Sequence, residues 1–321
     1  MTGRVTGRVT GQFTGRVGPG PADTLAARPP TDLIAVSNRL AVPLQYLLPK
    51  QALTRFAGWV AGWRGGAATT ALIGWFVGRY SVNMAEAAEP RIEAYPSFNA
   101  FFTRALKPGA RPLADAELLC PVDGAISQFG KISGDQVFQA KGHAYSTSAL
   151  VGGDAALAAP FADGWFATLY LSPRDYHRIH MPCAGTLRRT IHVPGDLFSV
   201  NPTTACGVPG LFARNERLVC QFDDAQGRPF VLVLVGATIV GSMATVWQGV
   251  VNPPRPGLVR SWRHDEAPVQ LAQGAEMGRF LLGSTVVMLF TAETLHDLCA
   301  NPAWAPGAAI RMGEAMARRA A

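Results

Sequence analysis

Between Arg279 and Phe290 an apolar run is broken in its middle by Gly283-Ser284-Thr285, with Arg279-Phe280-Leu281-Leu282 before it and Val286-Val287-Met288-Leu289-Phe290 after it. The flanks have the β-branched and apolar character of a buried strand. A glycine weakens a strand and opens backbone geometries closed to other residues, so the break marks a bulge, a bend or a close approach. That makes the Gly283-Ser284 bond a place where chemistry could occur, although a lone Gly-Ser pair is more often a bulge with a solvated serine.

Two earlier segments supply what a serine nucleophile lacks. A serine hydroxyl needs a base to take its proton and a carboxylate to support the resulting imidazolium. Cys120-Pro121-Val122-Asp123-Gly124 offers an acid at a turn-like Asp-Gly step. Ser172-Pro173-Arg174-Asp175-Tyr176-His177-Arg178-Ile179-His180-Met181-Pro182 offers two histidines. Ser172 and Pro173 read as N-cap and N1 of a short helical turn leaving the alternating strand Trp165–Leu171, which places the histidines at a strand end.

These residues resemble the pyruvoyl-dependent phosphatidylserine decarboxylases. The likeness runs from about Phe98 to the C-terminus through Phe101-Phe102-Thr103-Arg104, Pro121-Val122-Asp123-Gly124, Lys141-Gly142-His143, Tyr176-His177-Arg178-Ile179-His180 and Leu282-Gly283-Ser284-Thr285. Leu197-Phe198-Ser199-Val200-Asn201-Pro202, Phe212-Ala213-Arg214-Asn215-Glu216-Arg217 and Val235-Gly236-Ala237-Thr238-Ile239-Val240-Gly241 extend it. No catalytic position departs from the family pattern.

The resemblance implies that Asp123, His180 and Ser284 form a self-cleavage triad. Ser284 attacks the Gly283 carbonyl, an ester forms, and β-elimination followed by hydrolysis leaves a pyruvoyl group at residue 284 as the covalent cofactor. That group takes the substrate amine as a Schiff base and accepts the electrons released with carbon dioxide, converting phosphatidylserine to phosphatidylethanolamine in phospholipid biosynthesis. His177 is then the expected acid or substrate-orienting group, since histidine titrates near working pH. The alternative for His177 is a hydrogen bond within its own loop. The resemblance also implies a zymogen whose two fragments stay associated, working as a peripheral protein at the cytoplasmic face of a bacterial inner membrane.

Other chemistries fit less well. H-x-x-H lacks the glutamate of a zinc protease helix and no third ligand stands out, so no metal is expected. A serine hydrolase acting on an external ester would want a G-x-S-x-G elbow, which Gly283-Ser284-Thr285-Val286-Val287 is not, and a non-catalytic membrane-binding β module would need no triad. His143 is as compatible with a structural role as with one near substrate, and Arg214 and Arg217 could reach a phosphate or carboxylate, although arginines flanking an exposed turn are usually solvated.

The N-terminus is of another kind. Thr-Gly-Arg-Val recurs at Thr2, Thr6 and Thr14 in a Gly- and Pro-rich tract without apolar periodicity or a signal-peptide core, so residues 1–30 read as a disordered tail. Residues 31–97 follow as a helical, membrane-associating segment. Its longest nearly uncharged stretch, Gly65–Gly78, is shorter than the ~20 residues a spanning helix needs. Arg55, Arg64 and Arg79 among Trp59, Trp63 and Trp75 suit helices lying in a lipid interface, or equally a helical layer covering a sheet.

The net charge of +7 favours an anionic lipid surface, and without a nucleic-acid motif or a helical basic stripe a nucleic-acid partner ranks low. The five cysteines have no C-x-x-C spacing, which argues against a disulfide framework. Strand signals dominate after Leu118, notably Phe230–Val240, Ser242–Val251 and Phe280–Phe290, with Ile310–Glu314 returning as a last strand. The expected fold is therefore α+β, the helical N-terminal segment joined to a β-rich domain over residues 98–321. Oligomeric state is left open, a homo-oligomer included.

Overall fold

The structure, a computed structural model, describes residues 43, 45, 46, 48–238, 242–251, 257–282 and 285–319. The expected tail at residues 1–30 lies outside these, as do Ile239, Val240 and Gly241 of one motif and the Gly283-Ser284 bond.

The helices used below are α1 (Lys50–Gly62), α2 (Ala67–Tyr80) and α3 (Phe98–Phe102). The strands used below are β1 (Gly124–Lys131), β2 (Trp165–Tyr170), β3 (Arg178–His180), β4 (Gly185–Val193), β5 (Arg217–Asp223) and β6 (Pro229–Val235). They continue with β7 (Met243–Thr245), β8 (Gly249–Val250), β9 (Arg260–Arg263), β10 (Val269–Leu271), β11 (Glu276–Phe280), β12 (Thr285–Phe290) and β13 (Ala309–Ile310).

Among the described residues, nine strands form one antiparallel sheet in the order β9-β4-β5-β6-β12-β2-β1-β13, with β10 also on β4. A second sheet runs β8-β7-β11-β3. The central strands β6 and β12 are buried on both faces, which is why they read as unbroken apolar runs. Alternation then sorts their side chains. Val231, Val233, Val235, Val287 and Leu289 share a core with Ile73 of α2 and Phe98, Phe101 and Phe102 of α3. Leu232, Leu234, Val286, Met288 and Phe290 share the opposite core with Ile179, Met243, Met277 and Phe280 of the smaller sheet. The result is three layers: helices, large sheet, small sheet.

The helical layer is held on one face only. Ser97 caps α3 by accepting from the Ala100 N–H at 3.2 Å, and Phe76 of α2 packs edge-on against Phe98, Phe101 and Phe102. On the outer side Phe56 and Trp59 are 64% and 65% exposed, and Trp63 and Trp75 are 50% and 59% exposed, so both sequence alternatives describe part of the layer: it covers the sheet and it presents aromatic rings outward. No helix among the described residues is long and apolar enough to cross a membrane.

Several expected elements differ. Phe280–Phe290 is two strands in different sheets, β11 ending at Phe280 in the small one and β12 beginning at Thr285 in the large one. Ser242–Val251 is a hairpin, β7 and β8, because Trp247-Gln248 turns. The first strand of the three ends at Val235. Instead of a capped helical turn, Ser172 opens a tight turn: the Asp175 N–H donates to the Ser172 carbonyl at 2.9 Å and the Asp175 carboxylate accepts from the Ser172 N–H at 2.6 Å. Of Ile310–Glu314 only Ile310 is in a strand, and the tail strand is Ala315–Arg319, paired with Leu118–Leu119 and Leu298–Ala300. All five cysteines are free thiols.

Candidate active site

Strand register gathers the separated motifs at one end of the large sheet. Val193 pairs with Arg217, Arg217 with Val235, Val235 with Thr285, Thr285 with Tyr170, Tyr170 with Ala125, and Ala125 with Ala309. The residues just beyond this row are Glu216, Gly236, Leu171-Ser172 and Asp123-Gly124, and Ser284 is bonded covalently to Thr285 within it. Gly124 is dictated by the crowding: at φ +156° a Cβ there would lie 2.2 Å from the Tyr170 carbonyl oxygen.

The small sheet delivers the histidines and the chain entering the break. On β3 and β11, His180 faces Glu276 and Arg178 faces Arg279. Beyond β11, the Phe280 N–H donates to the His177 carbonyl at 3.1 Å and the Leu281 N–H to the Ser242 carbonyl at 3.0 Å. Leu282, the last described residue before the expected scissile bond, has φ +135°, a region that costs a non-glycine residue ~1–3 kcal/mol.

Asp123 sits in a closed charge network. Its carboxylate accepts from Arg111 Nε at 2.9 Å and Nη2 at 2.6 Å and from the Met312 N–H at 2.9 Å, while Arg111 also donates to Glu86 at 2.7 Å. The hydrogen bond from Arg111 holds Glu86 below the usual carboxylate range, and the one Arg111 donates to Asp123 raises Arg111. Such a pair stands in a buried setting only because its lone pairs and N–H groups are nearly all used.

His180 is oriented by backbone instead. Its Nδ1 lies 2.8 Å from the Gly274 carbonyl, which can only accept, so Nδ1 carries the proton and Nε2 accepts from the Tyr176 hydroxyl at 3.1 Å. Burial keeps the ring below the ordinary imidazole pKa, with Asp123 and Glu276 opposing through space. Among the described residues Asp123 makes no hydrogen bond to His180; the two are linked through main chain, the His180 N–H donating to the Pro121 carbonyl at 2.9 Å.

His177 is wholly buried, its ring centroid 4.0 Å from that of Phe102. Nδ1 donates to the Asp175 carbonyl at 2.8 Å, and Nε2 has no partner. Burial pulls its pKa down to about 3, so it is a neutral ring with an unused lone pair. Beside these groups opens a cleft of about 390 Å³ lined by Asp123, Tyr176, Arg104, Arg111, Arg174 and Arg311.

Sequence reasoning overlooked Arg111, Tyr176, Gly274 and Asn215. Tyr176 was legible as a residue four before His180, but Arg111 lies twelve before Asp123 in an irregular segment with no pattern to flag it. Asn215 stitches two motifs together, accepting from the Phe198 N–H at 3.0 Å and donating to the Phe198 and Gly236 carbonyls at 2.8 Å. Arg217 is not solvated: it is buried and donates to the Leu150, Asn215 and Ala149 carbonyls, with burial taking its pKa down to about 10. Arg214 is half-exposed, paired with Asp196 at 3.2 Å. His143 opens the strand His143–Ser146 after a hairpin turn at Lys141 and Gly142, both with positive φ. Among the described residues no group of three His, Cys, Asp or Glu side chains is placed to hold a metal ion.

Comparison with known proteins agrees with this geometry. The phosphatidylserine decarboxylase family model matches residues 98–318, and a second model, described as PSD, matches residues 40–81. The chain is 74% identical over 282 residues to the phosphatidylserine decarboxylase proenzyme of Albidiferax ferrireducens, covering 88% of this chain and 98% of that protein. The proenzymes of Variovorax paradoxus and Methylibium petroleiphilum are each 70% identical, over 89% and 88% of this chain and 99% and 98% of their own lengths. With the motif segments meeting at one sheet end and both comparisons spanning them, the chain belongs to the phosphatidylserine decarboxylase family and is a decarboxylase.

Proposed function

We propose that the protein decarboxylates phosphatidylserine to phosphatidylethanolamine with a pyruvoyl group made from its own Ser284, by self-cleavage between Gly283 and Ser284. The observation that supports this reading is the row through Thr285, the residue that follows Ser284 in the chain, which pairs with Tyr170 and through it with Ala125, two residues after Asp123.

In the maturation step His180, unprotonated at Nε2, takes the Ser284 hydroxyl proton as the oxygen attacks the Gly283 carbonyl. The imidazolium then gives that proton to the departing residue 284 nitrogen. The Gly274 carbonyl steadies the imidazolium through Nδ1–H, and the Asp123 charge favours it from a distance. A pyruvoyl group fits the surroundings: His177 Nε2 and the Thr285 hydroxyl are buried polar atoms without partners at the same end of the sheet. When present, that group supplies an electron sink for the bond to the leaving carboxylate. As a neutral acceptor His177 is better suited to orienting the substrate amine than to donating a proton from its resting state.

Fragment association has a clear basis. β12 is hydrogen-bonded along its whole length to β2 and β6, and five buried side chains, Val286–Phe290, contribute roughly 1.5–3 kcal/mol each. The exposed tryptophans of α1 and α2 support a peripheral site on an anionic membrane, which we propose is the cytoplasmic face of the inner membrane. The test is carbon dioxide release from carboxyl-labelled phosphatidylserine with and without phenylhydrazine, which captures carbonyls. Abolished release supports the pyruvoyl reading, and undiminished release contradicts it.

A further inference from the structure

Arg104 ends the segment Phe101-Phe102-Thr103-Arg104, and nothing above gives it a task. The residue is 5% exposed, its Nε has no hydrogen-bond partner, and one Nη donates only to the Arg174 carbonyl at 3.3 Å. A guanidinium stays charged even when buried, and a buried cation without a counterion costs several kcal/mol. The acids of the surrounding cleft are engaged elsewhere: Asp123 and Glu86 by Arg111, Asp175 by the Ser172 N–H, and Glu314 by the Arg311 N–H. They act on Arg104 only at a distance.

We infer that Arg104, with the exposed Arg174 at the rim, forms a subsite for the phosphodiester of the glycerophospholipid headgroup. This rests on the proposed decarboxylation at the same site. The position fits, because the cleft is floored by Gly124 and Ala309, and Ala125 and Ala309 lie on the row of Thr285. Thr285 and Ala125 are two strand spacings apart, about 10 Å. The chemistry selects the phosphate over the carboxylate. An arginine paired with the departing carboxylate would stabilise the ground state and oppose its loss as neutral carbon dioxide. The phosphodiester keeps its charge throughout, so the planar fork of Arg104 can hold two of its oxygens at no cost to the reaction.

The probe is glycerophosphocholine, a phosphodiester whose quaternary amine cannot condense with a carbonyl. Processed wild-type protein should broaden its ³¹P resonance and be inhibited by it competitively against phosphatidylserine. Arg104→Gln should lose both effects and raise KM about tenfold or more while changing kcat far less, with Arg104→Lys between the two. Wild-type broadening in Arg104→Gln overturns the subsite, and so does displacement of glycerophosphocholine by equimolar acetate, which would make it a carboxylate site. Should Arg104→Gln not fold, unchanged broadening in Arg104→Lys overturns it equally. Wild-type protein that binds glycerophosphocholine but releases no carbon dioxide refutes the decarboxylation reading and leaves the subsite standing.

Discussion

The two flanks of the site treat charge in opposite ways. Around Asp123 a buried carboxylate and a buried guanidinium are joined by the partly exposed Glu86, with nearly every donor and acceptor of the pair used. Around His177 an imidazole is buried against Phe102 with one nitrogen left without a partner. The first arrangement fixes a charge in place and makes it expensive to disturb. The second keeps the ring itself uncharged, burial and the nearby Arg104 cation both opposing its protonation, and leaves one nitrogen without a partner. His180 combines the two, lowered by burial like His177 but within the field of Asp123.

The largest effect that would sharpen this contrast is expected from Asp123→Asn. It leaves Arg111 buried against Glu86 alone, and breaking one partner of such a pair costs about 3–5 kcal/mol, so both stability and processing should fall. Urea denaturation of the uncleaved chain measures the first, gel analysis of fragments the second. A stable, normally processed variant would mean that the network is incidental to both.

Next comes His180→Ala, which should slow fragment formation by ~10²–10⁴-fold, the usual worth of general-base help. His177→Ala should instead yield normal fragments and slow only carbon dioxide release. Equal effects of the two substitutions on processing would erase the distinction between the flanks.

A smaller effect should appear with pH. Burial holds His177 at about 3 against an ordinary 6.5, and His180 is lowered too, so the unfolded chain takes up protons first as the pH falls. The stability His177 contributes is complete above pH 6.5 and is lost on going down toward pH 3, by at most about 1.4 kcal/mol per pH unit, and His180 adds a loss of the same sign. His177→Gln should flatten this slope between pH 6 and 4 in urea titrations, and an unchanged slope would show that the ring is not held neutral.

Least affected by single changes should be lipid binding. Replacing Trp59, Trp63 and Trp75 together should weaken flotation with anionic liposomes, whereas unchanged flotation would make the helices a covering layer only.

Much of this was legible before any coordinates. The period-two run Trp165–Tyr170 and the apolar run Val286–Phe290 are strands because both faces of the sheet bury them, and the strands on either side of the Gly-Ser break belong to different sheets. What escaped was long-range. Arg111 meets Asp123 only after the chain has folded back, and the Gly274 carbonyl that orients His180 is a main-chain atom, which no residue identity announces. Ser172-Pro173 misled because the same residue types open helices and turns, and the Asp175 side chain settled the matter locally.

The most direct test of the central claim is the intact mass of the purified chain beside Ser284→Ala. Two associated fragments, the second beginning at residue 284 with a blocked, carbonyl-bearing N-terminus, and a single uncleaved Ser284→Ala chain are the predicted result. A wild-type chain that remains whole while releasing carbon dioxide from phosphatidylserine would contradict it.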